Sequence, residues 1–540
     1  VYSLTEGLTA DRFRDIVKSV LPYSSSFRDP LTSERLKELS LINRRDAIFT
    51  IHSPKDKNLL KAARKRLVFD EFLLLQLGLI SRRLKLKSCI APTLDQYIDK
   101  DGLVACFLNL LPFPLTNSQK RVFAEIEDDL SHTEPMSRLL QGDVGSGKTI
   151  VAFMSILKAV QSGYQAALMA PTEVLAEQHY RTFCKWLPLL HVNIELLTGS
   201  TKRSRRKQIL DDLANGSLKI LIGTHALLED PVSFSRLGLV VVDEQHRFGV
   251  HQRNRLLYKG LQPHLLAMTA TPIPRTLALS LYGDLDISQI DELPPGRTPV
   301  KTMVLSGARR IEAYKLIRDQ VKFGNRAYVI LPLVEESEKL DLRSAVEVHS
   351  DLSRNVFNDY SVGLLHGRMN GLDKQTVINK FKEGDHQILV STTVVEVGVD
   401  IPQATVILID HAERFGLAQL HQLRGRVGRG LLQSFCVLIN DSKSDVAKQR
   451  LDVLVNSNDG FEISEVDLRL RGPGQVLGTK QSGLPDFALA SLAEDASVLE
   501  EARKEANYLL EIDPELNSHS LLKEELNEQF RRLSSNAHLN

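Results

Sequence analysis

A glycine-rich segment carries the most specific chemistry in this sequence. Residues 142–149 read GDVGSGKT, which matches the pattern GxxxxGK[ST] in full, and they lie between an apolar run at 136–140 and a predicted helix at 150–160. In a strand–loop–helix of this kind, backbone N–H groups surround phosphate oxygens at the helix N-terminus. Lys148 is expected to pair with the β- and γ-phosphates of ATP, and the Thr149 hydroxyl is expected to ligate Mg²⁺. The loop glycines assigned to this cofactor site are Gly142, Gly145 and Gly147.

Two adjacent carboxylates form the second candidate. Asp243 and Glu244 follow the apolar run 239–242 and come 95 positions after Lys148. A buried strand would deliver both side chains at its carboxyl end, where a loop-bound phosphate lies. We predict that Asp243 holds Mg²⁺, directly or through water, and that Glu244 orients and deprotonates the attacking water. Two acids alone are more often a solvated turn, but the apolar strand before them favours catalysis.

Three arginines supply the positive charge that phosphate hydrolysis needs. Arg424, Arg426 and Arg429 alternate with glycines in the segment QLRGRVGRG at residues 422–430. Arginine makes bidentate phosphate contacts. We predict that Arg426 and Arg429 complete the catalytic site by reaching the γ-phosphate when two lobes close. A solvated basic helix is the alternative interpretation of this segment.

The elements that must position these groups alternate between apolar strands and helices from about residue 113 onward. Strands are predicted at 166–170, 219–223, 239–242 and 265–269, and again at 327–331, 362–365, 387–391, 405–409 and 435–439. A Pro/Gly-rich stretch, LPPGRTP at 293–299, interrupts the series. Because apolar strands separated by helices indicate βαβ units, the pattern predicts an α/β protein with two parallel sheets joined by a stiff linker.

The composition excludes several other classes of protein. The 540 residues include 68 Lys or Arg and 67 Asp or Glu, a net charge of +1, and 43% are hydrophobic. These values argue against a disordered chain and against a protein that coats nucleic acid through bulk charge. The four cysteines are scattered, so neither a zinc site nor a disulfide framework is expected. No apolar run approaches the ~18 residues that span a membrane, so no membrane association is expected.

The two ends of the chain carry opposite charges. Residues 1–111 read as mostly helical, and the stretch 61–87 holds eight basic and two acidic residues, a net charge of +6. Residues 484–540 hold twelve acidic and five basic residues, a net charge of −7. The basic stretch has two interpretations, a solvated helix face or a phosphate-facing surface. The same two interpretations apply to a run of five positive charges at 202–207.

With these motifs in place, the chain resembles the superfamily 2 helicases and translocases, whose core is two RecA-like lobes. The match runs in order through 142–149, APTE at 170–173, LTGS at 197–200, GTH at 223–225, DEQH at 243–246, TAT at 269–271, HGRM at 366–369, and the segments 392–402 and 422–429. The segment FPLTNSQ at 113–119 is similar to an adenine-reading motif, which implies that Gln119 contacts the base edge. The implied fold is α/β: two tandem RecA-like lobes with parallel sheets, a helical N-terminal segment and a helical and loop-like C-terminal translocation segment.

Two longer segments are similar to the RecG family of branch-migrating ATP-dependent DNA helicases. One is DEQHRFGVHQR at 243–253; the other is DLRLRGPGQ at 467–475, continuing through GTKQSG at 478–483. The second resembles the translocation segment that this family shares with the transcription-repair coupling factor. That factor typically carries DEEQ where this chain reads DEQH, which favours the RecG family.

The resemblance implies an ATP- and Mg²⁺-dependent translocase on double-stranded DNA, with 3′–5′ polarity, that remodels stalled replication forks, Holliday junctions and D- or R-loops. It implies a helical remainder of a wedge region at 1–112, lobe 1 at 113–294, lobe 2 at 295–450 and a C-terminal domain with the translocation motif at 451–540. It adds Asp400 to the nucleotide site. The implied DNA-binding and coupling residues are Thr172, Gly199, Thr224, Thr269, Thr271, Thr392, Arg471 and Gln481.

The implied partners are branched and duplex DNA, with single-stranded DNA-binding protein as a candidate, and the implied state is a cytoplasmic, nucleoid-associated monomer, or an organellar one in a eukaryote. Residues 1–111 show no run of strands able to form the five-stranded OB-fold wedge of the family. We therefore expect that the chain lacks most or all of that wedge, and that DNA stimulates its ATPase with poor discrimination between branched and linear duplex. The alternatives are a nucleotide-gated DNA clamp without productive hydrolysis, a transcription-repair type of translocase, and an RNA helicase.

Overall fold

A computed structural model describes residues 9–94, 102–270, 285–294, 298–332, 338–392, 401–430, 432–471, 487–492 and 494–537. Three of the predicted site residues, Thr271, Asp400 and Gln481, lie outside these ranges. Within them, no helix combines the length and the apolar character that crossing a membrane requires. The described residues of Lys87–Pro274 and Leu285–Leu470 form one compact unit, and those of Val1–Leu86 and Arg471–Asn540 belong to another.

Lobe 1 is a seven-stranded parallel sheet with helices between its strands. Its strands are β1 (Ser137–Gly142), β2 (Gln165–Met169), β3 (Ile194–Leu197), β4 (Ile220–Gly223), β5 (Leu237–Val242), β6 (His264–Thr269) and β7 (Asp286–Ile290), in the spatial order β3-β4-β2-β5-β6-β1-β7. The helices of lobe 1 are α6 (Asn117–Ser131), α7 (Lys148–Gln161), α8 (Glu173–Phe183), α9 (Arg203–Ala214) and α10 (Val250–Leu257). Preceding them in the chain are α1 (Ala10–Val20), α2 (Ser33–Glu38), α3 (Arg44–His52), α4 (Lys57–Lys87) and α5 (Leu103–Leu110).

Lobe 2 repeats this arrangement with six parallel strands. They are β8 (Lys301–Ser306), β9 (Arg326–Ile330), β10 (Val362–Leu365), β11 (Ile388–Ser391), β12 (Ala404–Ile409) and β13 (Phe435–Asn440), in the order β10-β11-β9-β12-β13-β8. The helices of this part are α11 (Arg310–Lys322), α12 (Glu338–Asp351), α13 (Gly371–Glu383) and α14 (Leu417–Arg424). Counted from the first strand of each lobe, the order is the same, and lobe 1 adds β7 at one edge. The two sheets are therefore two copies of one topology.

The central strands form because they are apolar on both faces. All six residues of β5 and of β12 are buried, as expected for parallel strands covered by helices on each side. In lobe 2, alternate residues of β9 enter two different cores: Tyr328 and Ile330 lie in one, and Ala327 and Val329 in the other. This alternation is the two-residue period of a strand between two helix layers.

Every strand predicted from the sequence is present, with ends displaced by one or two residues. Three further strands, β3, β7 and β8, escape the prediction. β3 and β7 form the two edges of the first sheet, and β8 forms one edge of the second. An edge strand has a neighbouring strand on one side only and is less buried than a central strand. The sequences of β7, DISQI, and of β8, KTMVLS, accordingly lack a continuous apolar run.

The terminal unit joins the beginning of the chain to its end. After α15 (Asp445–Asn456) and α16 (Gly460–Arg471), the chain continues into α17 (Ala496–Ile512) and α18 (Ser520–Ala537). At its centre the Arg66 side chain is completely buried and donates to Asp29 at 2.8 Å and to Asp70 at 3.0 Å. Arg44 donates to the second oxygen of Asp70 at 3.0 Å, and its other end reaches Glu525 at 3.1 Å. Buried arginine is thus fully paired with carboxylates.

Part of the basic stretch of α4 pairs with the acidic C-terminal stretch, an outcome that neither interpretation of the sequence anticipated. Arg64 donates to Asp495 at 2.8 Å and Lys65 lies 2.8 Å from Glu501, both in the acidic C-terminal stretch. Glu71 accepts backbone N–H groups at residues 488–490. The charges of +6 and −7 therefore meet in space in part, and Arg64 and Lys65, which remain partly exposed, are paired with carboxylates of the same unit.

We predict that Arg66→Ala destabilises the terminal unit by about 3–5 kcal/mol, because it leaves two carboxylates of low exposure without their shared cation. Hydrogen–deuterium exchange of the α4 amides should report the loss as a collapse of protection. Arg45→Ala, which truncates an exposed arginine on α3, serves as the control and should leave exchange in α4 unchanged. Equal protection in the two variants would contradict a stabilising role for this network.

Candidate active site

The glycine-rich loop connects β1 to α7, as the sequence predicts. Gly145 and Gly147 adopt left-handed backbone conformations, with φ of 79° and 90°. A Cβ atom at Gly147 would also collide with the side-chain amide of Gln119, so both backbone and packing require glycine there. The turn directs the chain into α7 at Lys148, which creates a helix N-terminus facing the loop.

Gln119 supports this loop from behind. Its Nε2 donates to the Ser146 carbonyl at 2.8 Å, and its Oε1 accepts the Thr116 backbone N–H at 3.0 Å in the capping box of α6. The side chain is buried and both ends of its amide are engaged. These contacts hold the loop against α6. A contact of Gln119 with an adenine base stays a prediction.

Lys148 and Thr149 occupy the first turn of α7. The Lys148 Nζ donates to the carbonyls of Gly142 and Asp143 at 2.8 and 2.9 Å, so its charge lies across the mouth of the loop. Thr149 is half-buried beside it. An ammonium group and a hydroxyl at this position are the two ligands that a triphosphate with its metal ion uses.

Asp243 ends β5 in an enclosed position. Its Oδ2 lies 2.7 Å from Nε2 of His179 on α8, and its Oδ1 accepts the Glu244 backbone N–H at 3.0 Å. Burial alone would raise the pKa of Asp243, but the hydrogen bond from His179 and the nearby Lys148 charge hold that pKa below its usual value. Asp243 is therefore a carboxylate, and its hydrogen-bond partner is a residue that no sequence motif indicated.

Glu244 stands beside it in a left-handed conformation, with φ of 49°. Its Oε2 accepts the Ala270 backbone N–H at 3.3 Å, which joins the carboxylate to the segment after β6. Burial, reinforced by repulsion from Asp243, raises the pKa of Glu244, while the charges of Lys148 and Arg426 act in the opposite direction. A carboxylate with a raised pKa is a stronger base than an ordinary glutamate.

The donor set fits a hard divalent cation. A threonine hydroxyl and an ionised aspartate, close to a lysine and a phosphate loop, are oxygen ligands of the kind that Mg²⁺ uses beside nucleotide phosphates. Thr149 and Asp243 would hold the ion, and the remaining positions would come from phosphate oxygens and water.

Lobe 2 brings Arg426 to the same site. Arg426 is buried, and its charge acts on Glu244. The Nε of Arg429 lies 3.4 Å from the Gly425 carbonyl of its own segment, and a contact of Arg429 with the γ-phosphate stays a prediction. Arg424 points elsewhere: it is buried and donates to the Leu454 and Ser457 carbonyls at 2.7 and 2.9 Å, at the end of α15. Arg426 and Arg424 of one motif thus have different roles, one at the site and one in a structural contact.

A histidine that the sequence motifs do not mark joins the two lobes. Nε2 of His421 on α14 lies 2.7 Å from the Asp143 carboxylate in the phosphate loop. Nδ1 of the same ring lies 2.8 Å from Nη2 of Arg424; because arginine can only donate, Nδ1 accepts and Nε2 carries the proton toward Asp143. Burial would raise the pKa of Asp143, but the hydrogen bond from His421, together with the Val144 backbone N–H and the Lys148 charge, holds that pKa below its usual value.

Close packing supports this contact between lobes. A Cβ atom at Gly425 would lie 2.8 Å from Cβ of Val144 in the phosphate loop. Farther along the interface, Gln375 on α13 donates to Glu177 on α8 at 2.8 Å. The phosphate loop therefore touches lobe 2 directly, at the residues adjoining its arginine motif.

The two lobes also carry similar seven-residue segments after equivalent strands of their sheets. The segment DEQHRFG at 243–249 follows β5, and DHAERFG at 410–416 follows β12. Glu244 and His411 share the left-handed conformation, with φ of 49° and 46°. In lobe 2, however, Asp410 accepts from Arg310 at 2.6 Å, and Arg310 begins α11 as Lys148 begins α7. A cation of the protein itself thus neutralises the duplicated carboxylate.

Five of the predicted DNA-contacting residues lie at or just beyond the carboxyl ends of parallel strands. Thr172 caps α8 through its side chain, Gly199 lies in the loop after β3, and Thr224 follows β4. Thr269 and Thr392, which end β6 and follow β11, are buried. The position of the Arg471 side chain lies outside the described part. In the basic run, Arg205 pairs with Glu195 and Arg206 with Glu229.

Comparison with known proteins agrees with this architecture. The chain matches a family model of DEAD/DEAH box helicases over residues 116–279, one of the helicase conserved C-terminal domain over 310–430, and one of domain 3, C-terminal, of the ATP-dependent DNA helicase RecG over 457–535. The RecG of a Synechocystis strain is 54% identical over 533 residues, covering 99% of this chain and 64% of that protein. The RecG of Bacillus subtilis is 47% identical over 514 residues, covering 95% of this chain and 75% of that protein.

A solved structure of RecG bound to a three-way DNA junction superposes with a TM-score of 0.76 at 42% identity, over 93% of this chain and 66% of that one. The chain spans between 62% and 76% of the length of the curated relatives named RecG. Identity of this degree runs through both lobes and the region after them. This chain belongs to the family of the ATP-dependent DNA helicase RecG.

Proposed function

We propose that this chain is an ATP- and Mg²⁺-dependent motor that translocates on double-stranded DNA and remodels stalled forks, Holliday junctions and D- or R-loops in recombination and repair. The observation that carries the proposal is the composite site. Lobe 1 supplies the phosphate loop with Asp243 and Glu244, and lobe 2 contacts that loop through His421 and directs the charge of Arg426 at Glu244. A site built from two lobes can convert hydrolysis into their relative movement.

The reaction follows from the positions of these groups. Lys148 and the loop N–H groups bind the β- and γ-phosphates, and Glu244 accepts a proton from the attacking water. Arg426 and Arg429 neutralise charge that develops on the transferred phosphoryl group. Thr149 and Asp243 would hold Mg²⁺, which would supply positive charge to offset that of the phosphates. Asp400 and an adenine contact by Gln119 remain part of the proposed nucleotide site.

Translocation requires that the affinity for DNA differ between nucleotide states. Thr172, Gly199 and Thr224 of lobe 1 follow three neighbouring strands, and small hydroxyls and backbone N–H groups grip phosphate without reading bases. Thr269, Thr271 and Thr392 are proposed to couple these loops to the nucleotide. Arg471 and Gln481 would act in the translocation segment. The 3′–5′ polarity is proposed from the family.

The same function implies a domain organisation, binding partners and a cellular location for this chain. We assign a helical region to 1–112, RecA-like lobes to 113–294 and 295–450, and a C-terminal domain to 451–540. The proposed partners are branched and duplex DNA and single-stranded DNA-binding protein, and the proposed state is a monomer associated with the nucleoid in the cytoplasm. A nucleotide-gated clamp without hydrolysis is disfavoured because Glu244 and the arginines are all present. A transcription-repair role is disfavoured by the match of residues 457–535 to RecG.

We predict that Lys148→Ala and Glu244→Gln each reduce ATP turnover by at least about 10²-fold, for different reasons. The first removes the cation that binds the β- and γ-phosphates, so binding of a fluorescent ATP analogue should also weaken. The second replaces the base with an amide of the same shape, so binding should persist. Steady-state ATPase and nucleotide titration distinguish the two, and normal turnover in either variant would refute the site assignment.

We predict that duplex DNA stimulates the ATPase and that RNA does not. Steady-state hydrolysis should be compared with no nucleic acid, linear duplex, a three-way fork and duplex RNA, at one fixed salt concentration because phosphate contacts are screened by salt. Equal stimulation by RNA would favour the RNA-helicase alternative. Binding of DNA that responds to ATP without any hydrolysis would favour the clamp.

We predict that Asp143 and His421 are energetically coupled across the lobes. A double-mutant cycle with Asp143→Asn, His421→Ala and the combined variant should give a coupling of about 0.5–3 kcal/mol in kcat/KM for ATP, because His421→Ala removes, and Asp143→Asn weakens by loss of charge, the same hydrogen bond. Gln375→Ala combined with Asp143→Asn provides the control, since Gln375 contacts a different residue of lobe 1. Strict additivity in the Asp143–His421 cycle would show that the contact is incidental to catalysis.

A further inference from the structure

Helix α8 carries a buried histidine that no motif accounts for. His179 is 7% exposed, and its Nε2 lies 2.7 Å from Oδ2 of Asp243. The partner is a carboxylate, whose oxygens accept, so the ring nitrogen donates. Phe183, completely buried one turn further along α8, lies beside the ring with 6.2 Å between the ring centroids. Packing and the hydrogen bond together fix the imidazole.

The hydrogen bond determines how the Asp243 carboxylate is turned. Oδ2 accepts from His179 and Oδ1 accepts from the Glu244 backbone, so each oxygen has one donor on the protein. A carboxylate with a donor on each oxygen cannot rotate freely about its χ2 axis. Each oxygen retains a lone pair for a further ligand, because a carboxylate offers about four acceptor sites.

The duplicated site in lobe 2 shows what a different partner does. There, Asp410 occupies the position equivalent to Asp243 and accepts from the guanidinium of Arg310. A permanent cation at hydrogen-bond distance neutralises the carboxylate and competes with any metal ion for it. Imidazole can orient a carboxylate while remaining neutral, and so leaves its charge to the metal. The lobe with the phosphate loop has the histidine.

We propose that His179 is a positioning residue for the nucleotide-bound metal: its Nε2–H holds the Asp243 carboxylate in the orientation that receives Mg²⁺. The proposal rests on the proposed function, since it refines the metal site of the same ATPase. Groups that hydrogen-bond to metal-ligating side chains typically change metal affinity or activity by about 10–100-fold when they are removed. We expect an effect of that size here.

The position of His179 on α8 gives this contact a second consequence. The N-cap of the same helix is Thr172, in the loop proposed to bind DNA. The helix also carries Glu177, which accepts a hydrogen bond from Gln375 of lobe 2. One rigid helix of 11 residues therefore touches the metal-binding carboxylate, the opposite lobe and the proposed DNA-binding edge. The hydrogen bond of His179 links α8 directly to the carboxylate of Asp243.

Two amide substitutions test the proposal. In His179→Gln the amide nitrogen takes the place of Nε2 and keeps a donor near Asp243; in His179→Asn the amide is one methylene shorter and loses that reach. Both variants place a polar amide in the same cavity, so a general cost of polarity affects them alike. His264→Gln is the matched control, because His264 is also a buried, hydrogen-bonded histidine of lobe 1, at the start of β6, and its hydrogen-bond partners are Met136 and Pro92.

The primary measurement is binding of fluorescent mant-ADP to the full chain, without DNA, as a function of Mg²⁺ concentration. His179→Asn should raise the Mg²⁺ concentration for half-maximal binding by about 10–100-fold, and His179→Gln should return it to within a few-fold of the parent chain. His264→Gln should leave that midpoint unchanged. Far-UV circular dichroism and thermal unfolding of each variant establish that folded protein is compared.

The outcomes separate this inference from the proposed function. Equal Mg²⁺ midpoints in His179→Asn, His179→Gln and the parent chain would overturn the positioning role while leaving the ATPase proposal intact. If the parent chain bound mant-ADP with no dependence on Mg²⁺, the metal site itself would be refuted. If His179→Asn alone fails to fold, an unshifted midpoint in a folded His179→Leu variant, which lacks any donor, would equally overturn the proposal.

Discussion

The parallel direction of every strand is the constraint on which this molecule depends. Because all strands of a sheet point the same way, the groups that follow them gather at one edge: the phosphate loop after β1, Thr172 beyond β2 and the two acids after β5. No single loop has to be long to assemble a site of this kind. The same constraint places the proposed DNA-binding loops of lobe 1 at the same edge of the sheet as the phosphate loop.

The second lobe uses one topology for a different purpose. Its strand order copies that of lobe 1, yet an arginine neutralises Asp410, and its contribution to the site comes from the segment around α14. His421 and Arg426 of that segment act on the loop and on Glu244. The two lobes share one architecture but differ in their contribution: lobe 1 carries the phosphate loop, and lobe 2 contacts that loop through His421. Arg424 donates to the Leu454 carbonyl and so connects the arginine motif to α15.

The central strands, the phosphate loop and the paired acids were predictable because their signals are local: a continuous apolar run, or a fixed spacing of a few residues. Edge strands β3, β7 and β8 gave no such signal, since most of their residues are only partly buried and need not be apolar. The contacts of His179 and His421 were out of reach for another reason. They join residues 64 and 278 positions apart, and a lone histidine in a sequence is more often a structural residue than a site residue. Arg66 illustrates the opposite error, because a basic helix looks solvated until its carboxylate partners are located.

The terminal unit has a consequence for how the protein is made. Arg35, Arg44 and Arg64 near the beginning of the chain have carboxylate partners 470, 481 and 431 residues later. A ribosome adding about 5–20 residues per second needs roughly 20–100 s to deliver those partners. Both lobes emerge during that interval, whereas α2, α3 and α4 must wait for α17 and α18 before these ion pairs form. Termination of translation before α17 would therefore leave the three arginines without their carboxylate partners, so the later helices decide whether the earlier ones complete their unit.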